Sequence, residues 1–167
     1  MKRILVGVDG SKESRAAAAY AANLAKAMGS QVIVASVADV PVALAAPELM
    51  ERAAEWQQDA TKHAAALAKE IASEVARSGV TVETIVEPGA PAETLAELAR
   101  AGEVDLVVVG HRGRNALSRA LMGSVADRLV QICSKPVLVV RSVVTSRAPR
   151  KFCADLGADA VPAERGA

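Results

Sequence analysis

Apolar residues fall along this chain in five short runs separated by long amphipathic stretches. The runs are Ile4–Val8, Val32–Val37, Val80–Val86, Val104–Val109 and Val137–Val140, each rich in valine or isoleucine. Most are continuous rather than alternating, and a strand that is apolar on both pleat faces has to be covered on both. They are therefore predicted to be strands of a parallel sheet. Between them apolar positions recur every three or four residues, the period of a helix with one buried face. The first such stretch, Ser11 to Met28, puts Ala17, Tyr20, Ala21, Leu24 and Ala27 on one stripe, with Ser11 suited to cap its start and Gly29 its end. The second, Pro47 to Ser78, carries Ala60, Ala64, Leu67, Ala68, Ile71 and Val75 and stops before Gly79. A third, Pro91 to Arg100, opens on a proline, whose fixed φ suits a first turn. A fourth begins at Gly123, runs through Val125, Leu129, Val130 and Cys133, and ends before Lys135-Pro136.

Regular alternation of strand and helix predicts an α/β domain of three layers, a doubly wound five-stranded parallel sheet between helices. Two segments break the pattern. Asp39 to Ala46 contains Pro41 and is read as a mobile loop over one end of the sheet. From Ser142 onward Ser, Arg, Pro, Ala and Gly dominate, so residues 1–141 are read as one domain and 142–167 as a tail, disordered or loosely docked.

Composition excludes several classes of partner. A chain of 167 residues can bury a core without metal or disulfide. Its aromatic residues are Tyr20, Trp56 and Phe152 alone, and its formal charge is +1, so it has neither a stacking platform nor a basic field for nucleic acid. Cys133 and Cys153 stand apart, with no Cys-x-x-Cys and no histidine at metal spacing, which fits a reducing compartment without a bridge. The apolar run after Lys2-Arg3 stops at Asp9, short of a signal segment, and no run reaches the roughly 18 apolar residues of a membrane span. The expectation is a cytoplasmic protein with no membrane partner.

Candidate chemistry concentrates in "GHRGRNALSRALMGSV", Gly110 to Val125, directly after the fourth strand. In an open parallel sheet ligands bind outside the carboxyl ends of the strands, and Gly7-Val8-Asp9-Gly10-Ser11 leaves the first strand at the same end. Gly110 and Gly113 let backbone amides approach a bulky anion and adopt positive φ where needed. Gly123-Ser124 opens a helix whose first amides lack internal partners and whose dipole favours negative charge. Arg112, Arg114 and Arg119 offer guanidinium forks nearby. Together these make a phosphate cradle, in which a side chain at Gly113 or Gly123 is expected to project into the phosphate position. It is neither a Walker A loop nor a dinucleotide fingerprint. Asp9 is equally suited to cap the first helix.

The opening "ILVGVDGS", the second strand "VIVASV", the spacing Gly110-x-x-Gly113, nine residues, Gly123-Ser124, and the closing "KPVLVVR" together resemble the universal stress protein family, in its nucleotide-binding branch. The resemblance spans about Met1 to Arg141. It implies an adenine nucleotide alpha hydrolase-like fold with strand order 3-2-1-4-5 and a site for ATP, ADP or AMP, with any magnesium carried by the phosphates. In the nucleotide-binding relatives the residues matching Gly7, Val8 and Asp9 face adenine and ribose, and the one matching Val37 contacts adenine. Those matching Val109 and Gly110 lie beside ribose and phosphates, and those matching Gly113, Gly123, Ser124 and Val125 hold the phosphates. Arg114 joins this set as a candidate phosphate contact. Position 126 is Ala where some relatives carry a hydroxyl.

No catalytic residue is assigned, since no known nucleophile or base motif is present. The leading expectation is a nucleotide-binding regulatory protein whose occupancy alters a surface read by a protein partner. The alternatives are an interaction protein independent of nucleotide and a slow ATPase. A homodimer through the edge strand Pro136–Arg141 is expected, because such an edge exposes unpaired amides and apolar side chains, and family members commonly pair there.

Overall fold

In the computed structural model, residues 2–39, 50–113 and 122–141 are described, with side chains at 50–53 left aside. Arg114, Arg119, the loop beyond Asp39 and everything from Ser142 lie outside the described residues. Five strands and four helices alternate along the chain: β1 (Arg3–Val8), α1 (Lys12–Met28), β2 (Gln31–Ala38), α2 (Met50–Ala76), β3 (Val82–Pro88), α3 (Pro91–Ala101), β4 (Leu106–Gly110), α4 (Ser124–Ile132) and β5 (Val137–Val140). All strand pairs are parallel, and the sheet order is β3-β2-β1-β4-β5. The order reverses between β1 and β4, where chain connections diverge to opposite sides and leave a crevice.

The continuous apolar strands are covered on both faces, as their composition requires. On one face α1 and α2 pack Ala17, Ala21, Ala25, Ala68 and Ile71 against Ile4, Val6, Val34 and Val108. On the other, α3 and α4 pack Leu95, Ala99, Ala126 and Leu129 against Leu5, Ile33 and Val107. Each fully buried valine, leucine or isoleucine here contributes about 1.5–3 kcal/mol relative to exposure, and each alanine methyl less. The edge strands are the exceptions: all four residues of β5 stay partly exposed, and β3 is more open still. Glu83, Thr84 and Glu87 stand exposed on it.

Two helix stripes differ from the sequence expectation. In α1 the buried face is Ser14, Ala17, Ala18, Ala21, Ala22 and Ala25, while Tyr20 and Ala27 are exposed. Small side chains let the helix lie close on the sheet, and the large amphipathic tyrosine turns outward with its hydroxyl in water. In α4 Val130 is exposed, and Ala126 with Leu129 takes the inner face. The ends of α1 follow the sequence reading. Ser11 Oγ accepts from Ser14 N at 3.1 Å, and Gly29 terminates the helix at φ 64°, the left-handed conformation glycine adopts cheaply.

Candidate functional site

At the carboxyl ends of β1, β2 and β4 the chain encloses a cavity of about 440 Å³, within the roughly 300–1,000 Å³ usual for small-molecule sites. Its lining includes the apolar or small residues Gly7, Ala35, Val37, Leu95 and Val109, and also Gly110, Gly113 and the start of α4.

That helix start is left open by the sequence. Its N-cap is Gly123, at φ −68° and ψ 148°, and no side chain caps it. The Gly123 amide itself donates to His111 O at 2.9 Å, and the first intrahelical bond runs from Asp127 N to Gly123 O, also 2.9 Å. The amides of Ser124, Val125 and Ala126 therefore have no acceptor within the helix, and none among the described residues. All three residues line the cavity, so the positive end of the helix dipole and amides with no acceptor among the described residues lie at one space. An anion is the ligand such an arrangement stabilises.

The model of the universal stress protein family matches residues 1–141. The chain belongs to that family. It is 36% identical over 142 residues to a universal stress protein of Methanocaldococcus jannaschii, covering 84% of this chain and 82% of that one. A Mycobacterium tuberculosis universal stress protein is 35% identical over 142 residues, but these cover 83% of this chain and 48% of the relative, so the chain spans about half the length of that protein. Among solved structures, UspA of Lactobacillus plantarum superposes with a TM-score of 0.76 at 29% identity, over 84% of this chain and 97% of that one. A universal stress protein solved in complex with cAMP gives 0.54 at 26% identity, over 83% and 95%. The shared fold is the adenine nucleotide alpha hydrolase-like sheet in the order anticipated from the motifs.

In this universal stress protein the cavity brings together Gly7, Val8, Asp9, Val37, Val109, Gly110, Gly113, Gly123, Ser124 and Val125 from four separate segments. Arg114, the remaining candidate, lies outside the described residues. Asp9 does not itself cap α1, whose N-cap is Ser11, but it holds that cap residue and lines the cavity. Its Oδ1 accepts from Ser11 N at 3.0 Å and from Ser11 Oγ at 2.7 Å, which fixes the turn into α1. Its Oδ2 lies against Gly113 on the edge of the cavity.

The glycines of the motif work differently from the expectation. Positive φ occurs at Gly10, Gly29, Gly79 and Gly89, and at none of Gly110, Gly113 and Gly123. What these three provide is close approach between protein segments. A Cβ on Gly110 would stand 2.7 Å from the carbonyl carbon of Glu13 and 2.9 Å from Ser14 N, in the backbone of α1. One on Gly113 would stand 2.6 Å from Asp9 Oδ2, and one on Gly123 3.1 Å from Arg112 Cα. A side chain at Gly113 or Gly123 would thus press on protein atoms at the cavity edge. The amides come near the cavity because the loops that carry them are pressed together.

The cavity also has lining the sequence reading did not name: Ser14, Ala35, Asp39, the α3 start with Glu93 and Leu95, and Arg128. A signal for α3 was present. Gly7 interrupts a β-branched strand, and a glycine inside a strand marks close packing from outside; a Cβ there would meet Leu95 Cδ1 at 2.7 Å. Of the lining side chains, Asp9, Asp39 and Glu93 are acidic and Arg112 and Arg128 basic. Three carboxylates against two guanidinium groups leave the described side chains slightly anionic, so among the described residues attraction for an anion comes mainly from the backbone. The Arg128 hydrogen bond, helped by Glu93's own backbone amide, holds the Glu93 carboxyl below its ordinary range. Burial, with the nearby Arg141 and Arg112 cations, pushes His111 down.

Proposed function

We propose that this universal stress protein binds an adenine nucleotide, ATP, ADP or AMP, in the cavity at the carboxyl end of its sheet, and that occupancy tunes a surface read by a protein partner. The observation that carries this is the meeting, in one cavity, of three α4 amides that have no acceptor among the described residues with apolar lining from Val37, Leu95 and Val109. A purine fits between Val37, Leu95 and Val109, its ribose beside Asp9, and its phosphate on Ser124, Val125 and Ala126. The cAMP complex of a structural neighbour supports the same class of ligand. A magnesium ion would arrive on the phosphates.

Affinity follows from opposed magnitudes. Three to five hydrogen bonds to a charged group contribute about 1.5–3 kcal/mol each, against roughly 4–15 kcal/mol of association cost. These two terms roughly cancel, so the surplus has to come from burying the purine against apolar side chains; micromolar binding corresponds to a net of about 8 kcal/mol. Calorimetry with AMP, ADP and ATP, alongside mass spectrometry of denatured, gently purified protein, tests the reading. Saturable micromolar binding supports it, and no saturable binding of any of the three sinks it.

The same reading includes a homodimer. β5 closes the sheet at an edge, and all four of its residues, Val137 to Val140, remain partly exposed. Pairing about a two-fold axis would cover these aliphatic side chains and the backbone groups at the strand's outer edge. Sedimentation at micromolar concentration should give a dimer; a monomer counts against this part.

A further inference from the structure

Arg128 follows Ser124 by four residues on α4, so the two side chains leave the same face. A helical Cα–Cβ bond tilts toward the N-terminus, so Arg128 leans toward the start of α4, and it lines the cavity with Ser124, Val125 and Ala126. Its Nε donates to Glu93 Oε1 at 3.0 Å, from the first turn of α3. Among the described residues that is the one hydrogen bond of its guanidinium, and a guanidinium has five N–H donors.

We propose that Arg128, held toward the start of α4 by Glu93, reads phosphate number and favours ADP and ATP over AMP. This rests on the nucleotide reading of the cavity. The three amides of α4 suffice for one phosphate. A second phosphate enters a lining whose described side chains carry one more carboxylate than guanidinium, and Ala126 supplies no hydroxyl to meet it. The two terminal nitrogens of Arg128 form the planar fork that matches phosphate oxygens. Glu93 keeps that fork in place and neutralises it while the cavity is empty. Both side chains are about half exposed, at 54% and 50%, so their ion pair rearranges at little cost.

The test is calorimetry on wild type, Arg128→Lys and the double variant Glu93→Gln/Arg128→Gln. The double variant removes the guanidinium while leaving the pair at zero net charge, so a general change of field is not mistaken for a lost contact. Expected are AMP affinity within about threefold of wild type and ADP and ATP affinity weakened about tenfold or more. Arg128→Lys, which keeps charge without the fork, should fall between. Wild type that binds nucleotides with an ADP-to-AMP preference unchanged in the double variant overturns the role of Arg128 alone. Wild type that binds none of the three overturns the nucleotide reading, and this inference with it.

Discussion

Replacing Ser124 by proline removes one backbone donor from the cavity while leaving the helix that carries it intact. Ser124 is the first residue of α4, where the amide has no helical acceptor and the proline ring meets no preceding turn. Proline also restricts the residue before it to extended backbone, and Gly123 already sits at φ −68° and ψ 148°. The protein uses the same device at α3, where Pro91 follows Ala90 at φ −76° and ψ 123°. Ser124→Pro should therefore leave stability unchanged or raise it by about 0.4–1 kcal/mol. Binding should suffer far more. One hydrogen bond to a charged phosphate is worth about 1.5–3 kcal/mol, so nucleotide affinity should fall by roughly 10- to 150-fold. Ser124→Ala loses the hydroxyl but keeps the amide, and supplies the baseline. Calorimetry with ADP and thermal melting of all three proteins decide the matter. A folded Ser124→Pro protein binding within twofold of Ser124→Ala would refute the role given to the amides.

Gly110→Ala places a Cβ into the backbone of α1 at Glu13 and Ser14, so it should destabilise by about 1–3 kcal/mol in urea unfolding, the cost of overpacking; unchanged stability would mean that contact yields freely. Ser11→Ala removes both the α1 cap and the hydroxyl that Asp9 holds, and should cost about 0.5–2 kcal/mol by the same measurement. His111 has a folded pKa below its ordinary value, so the fold favours its neutral form. Its contribution is then present above about pH 6.5 and lost as pH falls through the folded pKa. NMR titration of the ring should give a midpoint below 6.5, and one at or above that value would contradict the cause assigned.

The strands were legible because parallel-sheet burial demands unbroken apolar runs, and Val137–Val140 matches β5 residue for residue. Helix existence and caps followed from period and from Ser11 and Gly29. Burial stripes were less legible: alanine is apolar enough to fit either face, so composition could not say that α1 turns Ala18, Ala22 and Ala25 inward and Tyr20 outward. In the site, residues leaving β1 and β4 were readable because loops after strands in one sheet share an end. Glu93 and Arg128 were not, since their meeting depends on how α3 and α4 pack across the sheet face, which no local pattern encodes. The motif glycines were found for a partly mistaken reason. Their spacing marked the loop, but the atoms that forbid a side chain belong to Glu13, Asp9 and Arg112.

Amide NMR during a titration with AMP reads the proposed contact itself, nitrogen by nitrogen. The largest saturable shifts should fall on Ser124, Val125 and Ala126, accompanied by Gly7 to Asp9 and Val37. Saturable binding that leaves the three α4 amides unmoved, or spectra unaltered at millimolar nucleotide, would contradict the anion-binding helix start on which the functional reading stands.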